Sequence, residues 1–202
     1  GLTEIDELLI DDRVFDQEFL HPDWPRDQIE RHYCAEVGGL NFHRNVIALR
    51  PQIRGGRIDL QESPASPFLP LDNRLKIGTD PQRENLIDPH RPVNAAEIRI
   101  LGTISRPQKA PVEVTIHDPP LYTGQLLADR LRQVGIPVGR LRRASEQDRP
   151  TAPTLAFQVV TPLTEVTREC NRDSKNLYAE ALLKYLGHVT TGDPGSWANG
   201  GP

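Results

Sequence analysis

Methionine is absent from the 202 residues, cysteine occurs twice, and aromatic side chains make up only 5 %. Cys34 and Cys170 are too few for a disulfide framework; they read as two unpaired, mostly buried thiols, although an oxidising compartment permits one bond. His32 precedes Cys34 by two residues, but nothing else in the sequence turns that pair into a nucleophile site. The six histidines show no metal-ligand spacing with carboxylates, so no metal is expected. Excess basic charge is lacking too. With 24 Lys+Arg against 28 Asp+Glu and a net charge of −4, no clustered basic face points to nucleic acid. No run approaches the ~20 apolar residues of a membrane span, and no basic-then-apolar leader opens the chain. Without an initiating methionine, the natural start is expected elsewhere, with Gly1 a cloning scar.

What is present is proline, 19 residues of it, and a hydrophobic fraction of 37 %, low for a self-contained domain. A chain of this length buries roughly 70 % of its unfolded surface, and the low fraction fits apolar surface packed against further segments. Leu8, Leu9 and Ile10 before Asp11-Asp12 and Arg13 predict a short buried strand running into a turn, with the acids solvated. His21-Pro22-Asp23-Trp24-Pro25 excludes regular structure; Trp24 reads as a core anchor for a loop, and Asp27 to Tyr33 as one or two helical turns. A β-favouring run follows Gly38-Gly39-Leu40-Asn41, reaching Leu49.

From 51 to 94 proline recurs seven times, which favours short strands and loops, and Gly55-Gly56 predicts a hairpin turn between Ile53 and Ile58. Residues 97–104 and 112–117 predict two strands forming an antiparallel pair; the second alternates, with Val112, Val114 and Ile116 on one face. Tyr122 to Val134 carries a helical stripe of Leu126, Leu127, Leu131 and Val134, ended by Gly135. The run Arg140, Arg142, Arg143 reads first as a solvated strand or loop and second as a contact for an anionic polymer. Leu155 to Val160 predicts a strand, and Pro162 starts a helix with Leu163, Val166 and Cys170 on one side. A last helix buries Leu177, Tyr178, Ala181, Leu182 and Tyr185 and closes at Gly187.

Between those helices lies Asn171-Arg172-Asp173-Ser174-Lys175-Asn176, a Ser-x-Asn tripeptide entering Leu177-Tyr178-Ala179-Glu180-Ala181-Leu182-Leu183, with Gly195-Ser196-Trp197 beyond. A hydroxyl and an amide two residues apart on an irregular turn can face one cleft; the plainer reading makes the serine a helix N-cap worth about 1 kcal/mol. This constellation resembles the D-alanyl-D-alanine carboxypeptidase/endopeptidase family, the low-molecular-mass class C penicillin-binding proteins. The prolines around Trp24, the Gly39-Leu40-Asn41 turn and the stretch from Asp118-Pro119 to Gly135 agree with it, whereas 51 to 94 match least.

The resemblance implies an α+β chain, part of a serine transpeptidase-like domain with an inserted β-rich domain. Its expected divisions are 1–47 at the start of the inserted region beside the core, 48–96 as the β-rich insert, 97–160 as strand pair, helix and strand, and 161–202 as the helical part with the motif. It implies serine acyl transfer on peptidoglycan stem peptides without a cofactor, beta-lactams as acylating ligands, and an extracytoplasmic location. Ser174 would relay a proton and Asn176 would donate to a substrate carbonyl. Such enzymes also need a Ser-x-x-Lys nucleophile and a Lys-Thr-Gly strand. Neither occurs: Ser105 has its lysine one position too far, at Lys109, Lys76-Ile77-Gly78 precedes the Ser-x-Asn and lacks the hydroxyl, and Thr190-Thr191-Gly192 lacks the lysine. The chain therefore reads as an internal, inactive piece of a longer enzyme. The rival reading is a catalytically silent peptidoglycan-binding or assembly module; a homo-oligomer stays open under either.

Overall fold

The computed structural model describes residues 2–149 and 157–201. In chain order the elements are β1 (Ile5–Ile10), β2 (Val46–Arg54), β3 (Arg57–Ser63), β4 (Leu71–Ile77), β5 (Leu86–His90), β6 (Ile98–Ile104), β7 (Val112–Thr115), α1 (Pro119–Gln133), β8 (Val138–Arg143), α2 (Leu163–Asn171), α3 (Asn176–Thr191) and α4 (Trp197–Gly200).

β2 and β3 form the expected hairpin. Ile53 pairs with Ile58, and Gly55 and Gly56 both take positive φ, 54° and 76°, as a two-residue turn matched to strand twist requires. β7 lies on the other edge of β2, antiparallel, with Ile47 opposite Val114. In a second sheet β6 lies between β4, parallel to it, and β5, antiparallel. Pairing thus joins strands on both sides of positions 48 and 96.

β6 and β7 are therefore not partners. Each carries a fully apolar face, Ile98 and Ile100 on one and Val114 and Ile116 beside the other. These enter one core with Ile47, Leu49, Tyr122 and Leu126. Facing sheets bury both sets, at roughly 1.5–3 kcal/mol per large side chain, which a hairpin in a single sheet would not achieve. Pro107 and Pro111 in the connection cannot donate to a ladder.

α1 begins at Asp118, whose carboxylate accepts from the Leu121 N–H at 3.1 Å, and Pro119 and Pro120 occupy positions where no donor is needed. Its buried side differs from the expected stripe. Tyr122, Gly124, Leu126 and Ala128 face inward, while Leu127 and Val134 are exposed. The small residues admit close neighbours: a Cβ on Gly124 would lie 2.1 Å from the Ile10 side chain of β1. β1 runs parallel to β8, from Ile5 opposite Val138 to Ile10 opposite Arg143.

That pairing corrects two charge readings. Asp12 is fully buried rather than solvated, because the turn after β1 brings it 3.0 Å from Nε of Arg143, which also meets Asp118 at 2.6 Å. Arg142 contacts Glu7 at 2.8 Å and Asp148 at 2.7 Å. Arg140 also reaches Glu7, at a longer 3.7 Å, so all three arginines offered to an anionic polymer face carboxylates of this chain.

Three further expectations change. Asp27 to Tyr33 is a series of single turns, Gln28 N–H to Pro25 O and Arg31 N–H to Gln28 O, with only His32–Cys34 forming a short 3₁₀ helix. The strand at 155–160 is not seen in its described part, since Phe157, Val159 and Val160 are exposed and belong to no strand; residues 155 and 156 lie outside the described residues. The last helix runs on past Gly187 to Thr191, where Gly192 (φ 78°) ends it, and Tyr185 is exposed.

The buried positions of α3 include Lys184, placed where an apolar residue is expected. Its ammonium donates to Asp16 Oδ1 and to the Glu18 carbonyl, both at 2.6 Å, and lies 3.7 Å from the centre of the Trp197 ring. Burial pulls its pKa down while Asp16 pushes it back.

Gly187 is buried because α4 packs on it. A Cβ there would lie 2.1 Å from Asn199 Oδ1 and 2.9 Å from the Gly200 nitrogen. Asn199 is held in a capping box, its Oδ1 accepting from Ser196 N–H at 2.7 Å, so it has little room to retreat. Gly187→Ala is expected to cost about 1–3 kcal/mol as overpacking. Thermal unfolding measures this, and an unchanged midpoint would refute the packing.

Candidate functional site

The connection from α2 to α3 folds back on itself. Lys175 N–H donates to the Glu169 carbonyl at 3.1 Å, and its ammonium bonds the Glu169 carboxylate. That ammonium holds the Glu169 carboxyl below its ordinary range. Tied in this way, the turn reverses at Ser174, whose φ of 49° is left-handed, a conformation rare outside glycine and asparagine. The N-cap position of α3 is Lys175, and no side chain caps the helix. Ser174 is thus not the cap. Two residues on, the Asn176 amide Nδ2 donates to the Tyr33 carbonyl at 2.9 Å.

Ser174 and Asn176 line one cleft of about 120 Å³ with Tyr33, Arg44, Glu113 and Tyr178. The facing wall is made by the 3₁₀ turn at His32–Cys34, by the start of β2 with the turn that precedes it, and by β7, and there the Arg44 guanidinium of that turn grips the Glu113 carboxylate of β7. Donation to Tyr33 fixes the orientation of the Asn176 amide: Nδ2 faces the 3₁₀ turn, and the second N–H and Oδ1 remain for other partners. Sequence reasoning missed Tyr33, Arg44 and Glu113. Tyr33 lies 143 residues from Asn176, and no local pattern announces such a contact.

The region behind β7 is held by a buried ionic cluster. The Glu36 carboxylate accepts from Arg91 at 3.0 Å, from the Asp118 N–H at 2.9 Å and lies 3.1 Å from His117 Nδ1. Arg91 also donates to the Thr115 hydroxyl at 3.2 Å. Cys34 is buried and its thiol is pushed up by burial and by Glu30, which leaves it a poor nucleophile. Cys170 is half-buried and likewise free. Among the described residues no group of His, Cys, Asp and Glu could hold a metal ion, and no helix is long and apolar enough to cross a membrane.

The family model of the D-Ala-D-Ala carboxypeptidase 3 (S13) family matches residues 1–201, the whole described chain with the Ser-x-Asn turn included. The chain belongs to this S13 family. A D-alanyl-D-alanine carboxypeptidase from Actinomadura sp. (strain R39) is 28 % identical over 206 residues, covering 96 % of this chain and 38 % of that protein. Penicillin binding protein 4 (dacB) from Haemophilus influenzae superposes with a TM-score of 0.73 over 96 % of this chain and 44 % of its own, at 16 % identity. The same protein complexed with a novel beta-lactam gives 0.58 over 81 % of this chain and 38 % of its own, also at 16 % identity. The chain thus spans less than half the length of these relatives. The resemblance drawn from residues 171–183 is that of the S13 family, and the α+β architecture is shared with penicillin binding protein 4.

Proposed function

We propose that this S13 chain forms part of a serine-type D-Ala-D-Ala carboxypeptidase and endopeptidase that works outside the cytoplasm on peptidoglycan stem peptides. One observation carries the reading: Ser174, left-handed and free of any capping duty, and Asn176 open on the same cleft. A serine from the part of the enzyme outside these residues attacks the carbonyl of the penultimate D-alanine. Its oxygen forms the ester bond of the acyl-enzyme as the peptide C–N bond breaks. Ser174 passes the proton to the departing D-alanine nitrogen, and the free N–H of Asn176 donates to a carbonyl of the bound peptide. Water then hydrolyses the ester and regenerates the serine. Beta-lactams acylate the same oxygen. No metal or organic cofactor takes part.

Labelling with a fluorescent penicillin tests this. A full-length protein carrying residues 1–202 is expected to be labelled at a serine of a Ser-x-x-Lys outside this segment, and the 202-residue chain alone is expected to stay unlabelled. A label on any serine between 63 and 196 would overturn the assignment. A full-length protein that binds peptidoglycan without acylation would establish the silent module instead.

A further inference from the structure

A second cavity, of about 430 Å³, lies between the turns that precede Cys34 and the sheet of β4, β6 and β5, and it shares no lining residue with the cleft at Ser174. Its size is that of a small-molecule site. Arg26, Asp27 and Glu30 line one wall; His90 at the end of β5, Arg91 after it and Arg99 in β6 line the other. The first wall is fixed at both ends. His21 packs against the Trp24 and Trp197 rings, with centroids 5.9 and 5.0 Å away, while Pro22 and Pro25 keep the segment out of a helix. Further along, the Ile29 carbonyl accepts from the Thr115 hydroxyl and the Glu30 carbonyl from the Thr115 N–H at 3.1 Å. Walls already held in place lose little entropy when a ligand enters.

The two buried charges of this cavity differ in how fully they are offset. Arg91 is engaged by Glu36 at 3.0 Å, by the Thr115 hydroxyl at 3.2 Å and by the Ala95 carbonyl at 3.3 Å. Glu30, with 9 % of its side chain exposed, has among the described residues one ion-pair partner, Arg31 at 3.0 Å, and that arginine side chain is 48 % exposed. A pair screened by water on one side offsets a buried carboxylate weakly, which leaves Glu30 able to take an ammonium. Arg26 is the complementary case. Its exposed guanidinium meets, among the described residues, only the Pro22 carbonyl, at 3.4 Å, so most of its N–H groups can take a carboxylate. The neighbouring cations are occupied: Arg99 meets Asp72 at 2.9 Å, and His90 meets Asp88 at 2.8 Å.

We infer that this cavity binds a small dipolar ligand, an amino acid or a short peptide with both ends free, whose ammonium meets Glu30 and whose carboxylate meets Arg26. The inference is independent of the role given to Ser174.

The test titrates the full-length protein with glycine and glycylglycine, each beside its C-terminal amide, which lacks the carboxylate, and its N-acetyl form, which lacks the ammonium. Dissociation constants come from ligand-observed NMR. The unmodified ligand is expected to bind about tenfold or more tighter than either singly charged form, the scale of one charge-assisted hydrogen bond. Tighter glycine assigns the site to free amino acids, and tighter glycylglycine to peptides. Arg26→Gln should make the unmodified and amide forms nearly equal; Glu30→Gln should do the same for the unmodified and N-acetyl forms. Ratios read on one preparation do not depend on the fraction folded, so a lowered thermal midpoint in Glu30→Gln does not blur them, and Arg26 is exposed.

No binding of glycine or glycylglycine, equal binding of the singly charged forms, or an unchanged ratio in either variant overturns the inference. A full-length protein that takes no penicillin label would defeat the function proposed above and leave this result standing.

Discussion

Glu36→Ala is expected to lower stability by about 3–5 kcal/mol, the loss that follows when one partner of a buried ion pair is removed. The Glu36 side chain is 2 % exposed and that of Arg91 0 %. Arg91 has further acceptors in the Thr115 hydroxyl at 3.2 Å and the Ala95 carbonyl at 3.3 Å. These satisfy hydrogen-bonding groups but do not neutralise charge. Burial pulls the guanidinium pKa down, yet an arginine does not lose its proton near neutrality. Truncation therefore leaves a buried cation with only the more distant Glu30 carboxylate to offset it, and an unsatisfied Asp118 N–H. Glu36→Gln keeps the volume and some hydrogen bonds and should cost less, while still exceeding the ~0.5 kcal/mol of an ordinary surface change.

The same site sets a pH dependence. Burial alone would raise the Glu36 carboxyl, but His117, Arg91 and the Asp118 N–H outweigh it and hold it below its ordinary 4.5. A folded value below the unfolded one means that the native state favours the ionised form. Its contribution is complete above about pH 4.5 and disappears as pH falls through the folded value. Denaturant midpoints of wild type should therefore decline below that pH more steeply than those of Glu36→Gln. Equal slopes for the two proteins would rule out Glu36 as the source.

Local structure was readable because its causes are local. Gly55-Gly56 marks a two-residue turn whatever surrounds it, and Pro119, Pro120 and Gly135 bracket α1 by their backbone limits alone. Partner choice was not readable. Alternation at Val112, Val114 and Ile116 announces a strand, yet the same alternation serves either sheet, and the apolar face of β6 decided the matter by packing from the opposite side. Charged side chains misled for a related reason. Asp12 with Arg143, Lys184 with Asp16, and Glu36 with Arg91 are each separated by more than fifty positions. An acid or lysine whose counter-ion lies so far along the chain looks like surface. In the candidate site, residues 173–176 were visible as a turn before a helix. The wall built by Tyr33, Arg44 and Glu113 was not, since it depends on the docking of distant elements.

In a full-length enzyme, Ser174→Ala is expected to lower turnover by ~10²–10⁴-fold, the usual contribution of a positioned proton-transfer group. The fold should survive the change. Ser174 is exposed, the N-cap position belongs to Lys175, and the turn is held by Lys175 and Glu169 and by the Asn176 contact to Tyr33. Alanine tolerates the left-handed φ of 49° no better than serine, so backbone strain is about equal in the two proteins. A capping serine would behave in the opposite way, losing about 1 kcal/mol of stability and leaving the rate per folded molecule intact. Peptide hydrolysis and thermal midpoint measured on the same preparation separate the two. An unchanged midpoint with collapsed turnover makes Ser174 a proton relay, and an unchanged rate, whatever the midpoint, removes it from the chemistry.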